Sequence, residues 1–280
     1  MESLTNVFVF SLVSLLFTSA LLRILYIFVT HKDYRQLECY RIMTHIGLCQ
    51  VIIGCICLIS PFYLLPLSFQ VQKALEALGT SSFLAVCGLE LILSLNRVNL
   101  ICNLGIHCTV TTMLQLLVAL LCVTHFALLN SSLAAFVFSE RTHHRFYDLS
   151  RPYSYVISKI VLFYHTSTLI LTVIAYMTIV VYLKYRKSKQ TTWTMNKTER
   201  NIAIQCCIYF VAQGSVVAYV NLRETILSTT DTFDDYIRVT EFFIVVCLPS
   251  LIFLVFNRKL REEFFRPLKR VTTVAVQHST

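Results

Sequence analysis

Charged side chains are scarce in this chain. They make up 14% of its 280 residues, against about a quarter in soluble globular domains. That shortage excludes a surface that faces water on all sides. Proline and glycine are also few, 5 and 6 in number, which excludes a linker-rich or low-complexity chain. Met1 to Asn6 carries no positive charge, so the first apolar run lacks the basic flank of a cleavable signal peptide and is expected to remain as an uncleaved helix. No His-x-x-x-His or Cys-x-x-Cys pair, nucleophile elbow or phosphate loop occurs, so no enzyme, metal site or cofactor is expected. No lysine stands between Tyr236 and Phe256, which excludes a retinal Schiff base in the last apolar run.

What is abundant is apolar: 56% of residues are hydrophobic and the mean hydropathy is +0.67. Seven long runs carry them, at residues 7–29, 42–65, 74–95, 109–129, 155–183, 202–222 and 236–256. Each is close to or above the roughly 20 residues that a spanning helix needs, and none alternates as a barrel strand does. The expected fold is therefore an all-α membrane protein: a seven-transmembrane helix bundle forming one domain over residues 1–270, with a short tail at 271–280. Proline at 61 and 66 marks the exit of the second run, and Asn96-Arg97 the end of the third. Beyond the seventh, Leu260, Phe264 and Leu268 recur every four residues among charges. That spacing predicts a short amphipathic helix over 257–267, lying on the membrane surface. No inverted repeat of the transporter kind is visible.

A net charge of +9 would suggest nucleic acid in a soluble chain. Here position matters more than the sum, and no nucleic-acid partner is expected. With the amino terminus outside, inner segments hold 16 Lys and Arg and outer segments hold 6, Arg23 and Lys159 lying within helices. Positive residues are retained in the cytoplasm, so the expected location is the cell membrane, multi-pass, with the amino terminus extracellular and the carboxyl terminus cytoplasmic. Arg23 is expected to snorkel to the inner interface. The inner segment 184–200 carries Lys184, Arg186, Lys187, Lys189, Lys197 and Arg200 against Glu199 alone. Anionic lipid headgroups explain such a cluster at about 1 kcal/mol per basic residue, and a cytoplasmic protein partner explains it equally.

All eleven cysteines fall in apolar runs or on the inner flanks. They are expected to be small buried hydrophobes rather than a disulfide framework. Asn130-Ser-Ser is a glycosylation sequon at the outer end of the fourth run, close to the membrane; Asn196-Lys-Thr is another, expected to face inward and stay unused.

Several stretches carry a resemblance. Cys39-Tyr-Arg-Ile-Met-Thr-His-Ile-Gly-Leu-Cys-Gln opens the second run, Leu93-Ser-Leu-Asn-Arg ends the third, Tyr164-His-Thr-Ser lies in the fifth, and Asn257-Arg-Lys-Leu-Arg follows the seventh. Together they resemble the nematode serpentine chemoreceptors, nearest to the class T family of the gamma superfamily, whose motifs read Cys-Tyr-Lys-Ile-Met…Gly-x-x-Asp and Leu-Ala-x-Asn-Arg. The resemblance implies a chemosensory G-protein-coupled receptor: a small molecule binds from outside, and a heterotrimeric G protein is met inside. The departures are specific. Gln50 stands where the family pattern has aspartate, and the sixth run has Gly214 but no proline. Neither place joined by the usual outer disulfide holds a cysteine, and the seventh-helix Asn-Pro-x-x-Tyr pattern is reduced to Leu248-Pro249-Ser-Leu-Ile.

On this reading Asn96 and Arg97, with Lys184, Arg186, Lys187 and Lys189, form the G-protein coupling switch. The plainer reading of Arg97 is an interface anchor. Glu90 lies seven residues before Arg97 on the same helix face. A carboxylate at that depth costs about 2–3 kcal/mol on insertion scales, so it should face the bundle interior. With His125, Lys159, Tyr164, His165, Tyr219 and Glu241 it makes the candidate ligand pocket; each taken alone reads equally as packing, and Arg238 and Glu241 as a mutual pair. The alternatives are a seven-helix transporter or ligand-gated channel, or a non-signalling membrane protein.

Overall fold

The computed structural model describes residues 2–59, 69–138, 145–189, 204, 208, 211, 212, 214, 215 and 243–266. In chain order these form α1 (Glu2–Thr30), a single turn α2 (Lys32–Arg35), α3 (Glu38–Ile59), α4 (Phe69–Cys102), α5 (Cys108–Asn130), a hairpin of β1 (Phe136–Phe138) and β2 (Arg145–Tyr147), and α6 (Ser154–Lys189). A π-helical turn at Phe243–Cys247 then leads into α7 (Leu248–Phe256) and α8 (Arg258–Phe265). The sixth run lies mostly outside the described residues; its described positions, such as Ile204 and Val211, are helical. Pro61 and Pro66 also fall outside.

Five helices are long and apolar enough to cross a membrane, and α7 with its preceding turn adds part of a sixth span. α4 is the hub: it packs against α3, α5 and α6, while α1 packs on α3. The principal core joins Ile24 and Phe28 of α1, Ile42 and Ile46 of α3, Val86 and Leu89 of α4, and Leu260 of α8. α5 shows the opposite face of the same chemistry. Only Thr111, His125 and Leu129 of its 23 residues are buried, while Met113, Leu116, Leu120 and Val123 are each more than 60% exposed. A stripe of that size facing water would be costly, but hydrocarbon accepts it. Small residues bring helices close where lipid gives no drive to associate: a Cβ on Gly54 of α3 would land on the Thr18 side chain of α1.

The third span was expected to end at Asn96-Arg97. The helix runs on to Cys102, because Val98 is buried and Ile101 and Cys102 pack with it against Ala175, Ile179 and Leu183 of α6. Arg97 is therefore inside a helix, not at its end. The polar stretch after α5 holds a short antiparallel hairpin, pairing Phe136 with Tyr147 and Phe138 with Arg145, so the chain is helical but for this one element among the described residues. The surface helix stops at Phe265, short of Pro267, and turns away from α7 by 104°. Pro249 explains the wide turn ahead of α7: it has no N–H to donate, and its ring crowds the carbonyl four residues back. Cysteines depart from expectation in two places, since Cys55 and Cys108 are exposed; none of the nine described cysteines is in a disulfide.

One end of the bundle carries the hairpin, the hairpin end, and the other carries α8, the α8 end.

Candidate functional site

At the α8 end, α4 presents three polar residues within four positions, Asn96, Arg97 and Asn99. The Asn96 amide is buried and donates from Nδ2 to Glu38 Oε2 at 2.8 Å. Glu38 stands in the first turn of α3, where the helix dipole favours a carboxylate. Half-buried Arg97 donates from Nη1 to the Tyr176 hydroxyl of α6 at 3.3 Å. Asn99 reaches across the turn that follows: its Nδ2 donates to the Ile106 carbonyl at 3.0 Å, and its Oδ1 accepts from Ile106 N–H at 2.9 Å. Asn103 and Gly105 take positive φ (52° and 71°) inside that clasp. His107 then caps α5 by accepting from Thr109 N–H. Lys184 and Arg186 are exposed near the end of α6, and the side chains of Lys187 and Lys189 lie outside the described residues.

α8 is tied to this end at both of its own ends. Asn257 caps it, its Oδ1 accepting from Leu260 N–H at 3.0 Å while its Nδ2 donates to Tyr40 Oη at 3.2 Å. Arg23 donates to the Arg266 carbonyl at 2.9 Å, where the helix leaves carbonyls unpaired. Lys259 pairs with Asp33, and His31 lies 3.8 Å from Glu263. The hydrogen bond from Lys259, and then its charge, hold the Asp33 carboxyl below the usual carboxylate range, and the same contact raises Lys259. Both groups are exposed, so solvent screening leaves this pair a minor term. Burial pushes the neighbouring Tyr34 phenol up to about 12.

A second polar group fills the middle of the bundle between α4, α5 and α6. Ser81 Oγ and His125 Nδ1 are 2.8 Å apart, and Cys122 donates to the Ser81 carbonyl. His165 Nδ1 sits 3.3 Å from Cys87 Sγ, with the Phe83 and Tyr164 rings against its imidazole at centroid distances of 5.0 and 5.9 Å. His125 Nε2 and Tyr164 Oη are buried without a hydrogen-bond partner. Gly88 makes this arrangement possible, because a Cβ there would sit on Tyr164 Oη and crowd Val118. Gly88→Ala is accordingly expected to cost about 1–3 kcal/mol, the usual penalty of overpacking. A thermal unfolding curve of the purified variant, unchanged from wild type, would contradict the close approach.

Of the predicted pocket residues, the structure brings His125, Tyr164 and His165 to this cluster and leaves Glu90 half-buried on α4. Lys159 does not join them: it is exposed on α6 with its ammonium 5.6 Å from the Tyr155 ring. It follows buried Ile157 by two residues, about 200° around the helix, which turns it off the inward face, and a charged group there gains more from the interface. Tyr219 and Glu241, and with them the Arg238–Glu241 pair, lie outside the described residues. Asn130 is exposed at the end of α5, its amide donating back to the Phe126 carbonyl at 2.9 Å. Sequence reasoning missed Glu38, Tyr176, Ser81 and Asn99. Of these only Glu38 carried a signal, as the one acid beside the Cys39-Tyr-Arg motif.

The hairpin end is closed without a disulfide among the described residues. Lys73 of α4 donates to the Ser131 carbonyl at 3.1 Å, Ala135 N–H to buried Ser154 Oγ at 3.2 Å, and Asp148 N–H to the Ala135 carbonyl at 2.8 Å. Ala77, Leu129, Ala134 and Ile157 close over one another beneath it. The Ser150 hydroxyl, with lesser help from its backbone N–H and from Arg151, keeps the Asp148 carboxyl ionised below its ordinary range.

No family model matches the sequence, and no curated protein matches it. In three dimensions the chain is similar to the crystal structure of squid rhodopsin, with a TM-score of 0.72 over 92% of this chain and 83% of that one at 11% sequence identity. At that identity the likeness is one of fold. The chain has the rhodopsin-like seven-helix architecture, with a short amphipathic helix after the last span, and is a multi-pass membrane protein.

Proposed function

We propose that this chain is a chemosensory G-protein-coupled receptor of the serpentine type, with its amino terminus outside the cell. A small molecule entering from the hairpin end engages the polar cluster of His125, Tyr164, His165 and Glu90, completed by Tyr219 and Glu241. A heterotrimeric G protein meets the α8 end at Asn96, Arg97, Lys184, Arg186, Lys187 and Lys189. The observation that carries this reading is the placement of Arg97. It is half-buried at the α8 end of the hub helix and bonded to Tyr176 across to α6, where a shift of α6 changes its partners. Ligand acts by binding one arrangement of the helices better than the other. The basic α6 extension also suits acidic headgroups at the inner leaflet, and the two contacts coexist. The chemoreceptor motifs and the excess of positive charge on the α8 side support the same orientation.

The test is G-protein activation in cells expressing the full chain, screened against small-molecule panels and repeated with Arg97→Ala. Activation in the wild type and a loss of at least tenfold in the variant are expected, in line with usual coupling energies. Equal responses would remove Arg97 from the mechanism. An amino-terminal tag found in the cytoplasm would overturn the receptor reading itself.

A further inference from the structure

Two protons in the middle of the bundle lack an acceptor. Ser81 carries one hydroxyl proton, and among the described residues the only partner of its Oγ is His125 Nδ1, at 2.8 Å. Ser81 therefore donates, Nδ1 accepts, and the imidazole carries its own proton on Nε2. That N–H belongs to a residue 6% exposed and has no partner. The Tyr164 hydroxyl is buried without a partner as well, although a neutral phenol has a proton to give. Buried donors left unmet are rare, because each has given up its bond to water for nothing.

Both donors belong to one seam. Ser81 of α4 meets His125 of α5; seven residues further along α4, Gly88 lies against Tyr164 Oη and against Val118, seven residues back along α5. About two helical turns separate the two levels, roughly 10 Å. The residues between them are apolar, Ala85 of α4 and Cys122 of α5, with the Phe83 ring against His165. The Cys122 thiol already donates to the Ser81 carbonyl. Lys159 faces away, so it brings no cation here, and half-buried Glu90 stands three residues beyond Cys87 on α4. A ligand carboxylate is repelled by Glu90, and a ligand ammonium leaves both donors unmet.

We propose that this seam receives a neutral, elongated ligand with a hydrogen-bond acceptor near each end, one oxygen taking the Nε2–H of His125 and the other the O–H of Tyr164. The inference rests on the proposed ligand site and supplies the chemical class that site takes. Diesters, keto esters and diketones with their oxygens about 10 Å apart fit the two levels; amines and acids do not. The Phe83 and Tyr164 rings flank the apolar middle. Selectivity follows from the donors: a molecule without an acceptor at either end leaves a buried N–H or O–H unpaired, which is rejected far more strongly than an extra or missing methylene. A ligand held this way joins α5 to α6, and so favours the arrangement in which both lie close on α4.

The test uses the full chain in lipid nanodiscs and dimethyl suberate, a diester of this length, isotope-labelled at both carbonyl carbons so that lipid esters do not mask it. Infrared difference spectra of the wild type are expected to show the labelled carbonyl band at lower frequency than in protein-free nanodiscs, as hydrogen bonding requires. Tyr164→Phe and His125→Phe are each expected to halve the displaced band and to weaken binding about tenfold or more, with unlabelled diester as competitor. Suberic acid and octamethylenediamine, matched in length, are expected not to compete. A wild type without the displaced band, or a band that both variants leave intact, overturns the proposal and assigns the two donors to ordered water. Competition by the acid or the diamine as effective as that of the diester overturns it too. The receptor reading is tested apart, by nucleotide exchange on a purified heterotrimeric G protein. Diester bound through both donors with no change in exchange, up or down, upholds the ligand class and overturns the receptor reading. Exchange driven by the diamine or the acid and not by the diester does the reverse.

Discussion

Leu260→Ala is expected to lower the stability of the purified protein by about 2–5 kcal/mol, the range for a buried leucine that leaves a cavity. Leu260 is 1% exposed although it lies on a helix outside the bundle. It enters the principal core among Ile24, Ile27 and Phe28 of α1, with Tyr34 beside it and Ile42 and Met43 of α3 beyond. The polar ties of α8 are exposed or half-exposed and each contributes little in water. The leucine therefore decides whether the helix docks. Hydrogen exchange of the amides of residues 258–265 should accelerate in the variant, and the unfolding midpoint in detergent should fall. Lys259→Ala is expected to move neither measurement appreciably. If the two substitutions behave alike, the ion pairs and not the leucine hold α8 in place.

The second large effect runs the other way. Gln50→Leu is expected to stabilise the protein by about 1–3 kcal/mol, the desolvation cost of a buried polar group left unpaired. Gln50 is fully buried in α3, and neither Oε1 nor Nε2 has a partner. Ser14 and Thr18 of α1 are buried with unpaired hydroxyls as well, so no neighbour is relieved of a bond by the change. Leucine is close to glutamine in volume and removes both unmet groups. The measurement is a thermal midpoint in detergent, with a rise expected. A fall would mean that the amide is bonded to ordered water, which a polar site of this kind holds at two or more contacts.

The five described spans were legible because a membrane helix writes its length and polarity into consecutive residues. Residues 109–129 and 155–183 match α5 and α6 to within a residue at their starts. The end of α4 was not legible. Asn96, Arg97 and Asn99 look like a polar exit, but each bonds a partner elsewhere, Glu38, Tyr176 and Ile106, and the helix continues through them. The hairpin was hidden for a related reason: strands of three residues are too short to show a period. At the candidate site, His125, Tyr164 and His165 stood out by type. Ser81 and Gly88 did not, since their importance lies in what faces them. The direction of Lys159 was not legible, because a residue's depth along a helix is readable from sequence while its bearing around the axis depends on neighbours.

The turn between α4 and α5 has one more consequence. Asn99 holds both the N–H and the carbonyl of Ile106, and the two left-handed residues inside the clasp are already in place. Leu104 and Ile106 are thus displayed, 57% and 45% exposed, on a surface whose shape is set before anything arrives. A protein docking there loses little freedom of the loop on binding, a cost that otherwise runs to about 0.5–1.5 kcal/mol for each side chain immobilised. A cytoplasmic partner of the proposed kind would therefore meet a preformed surface at this end.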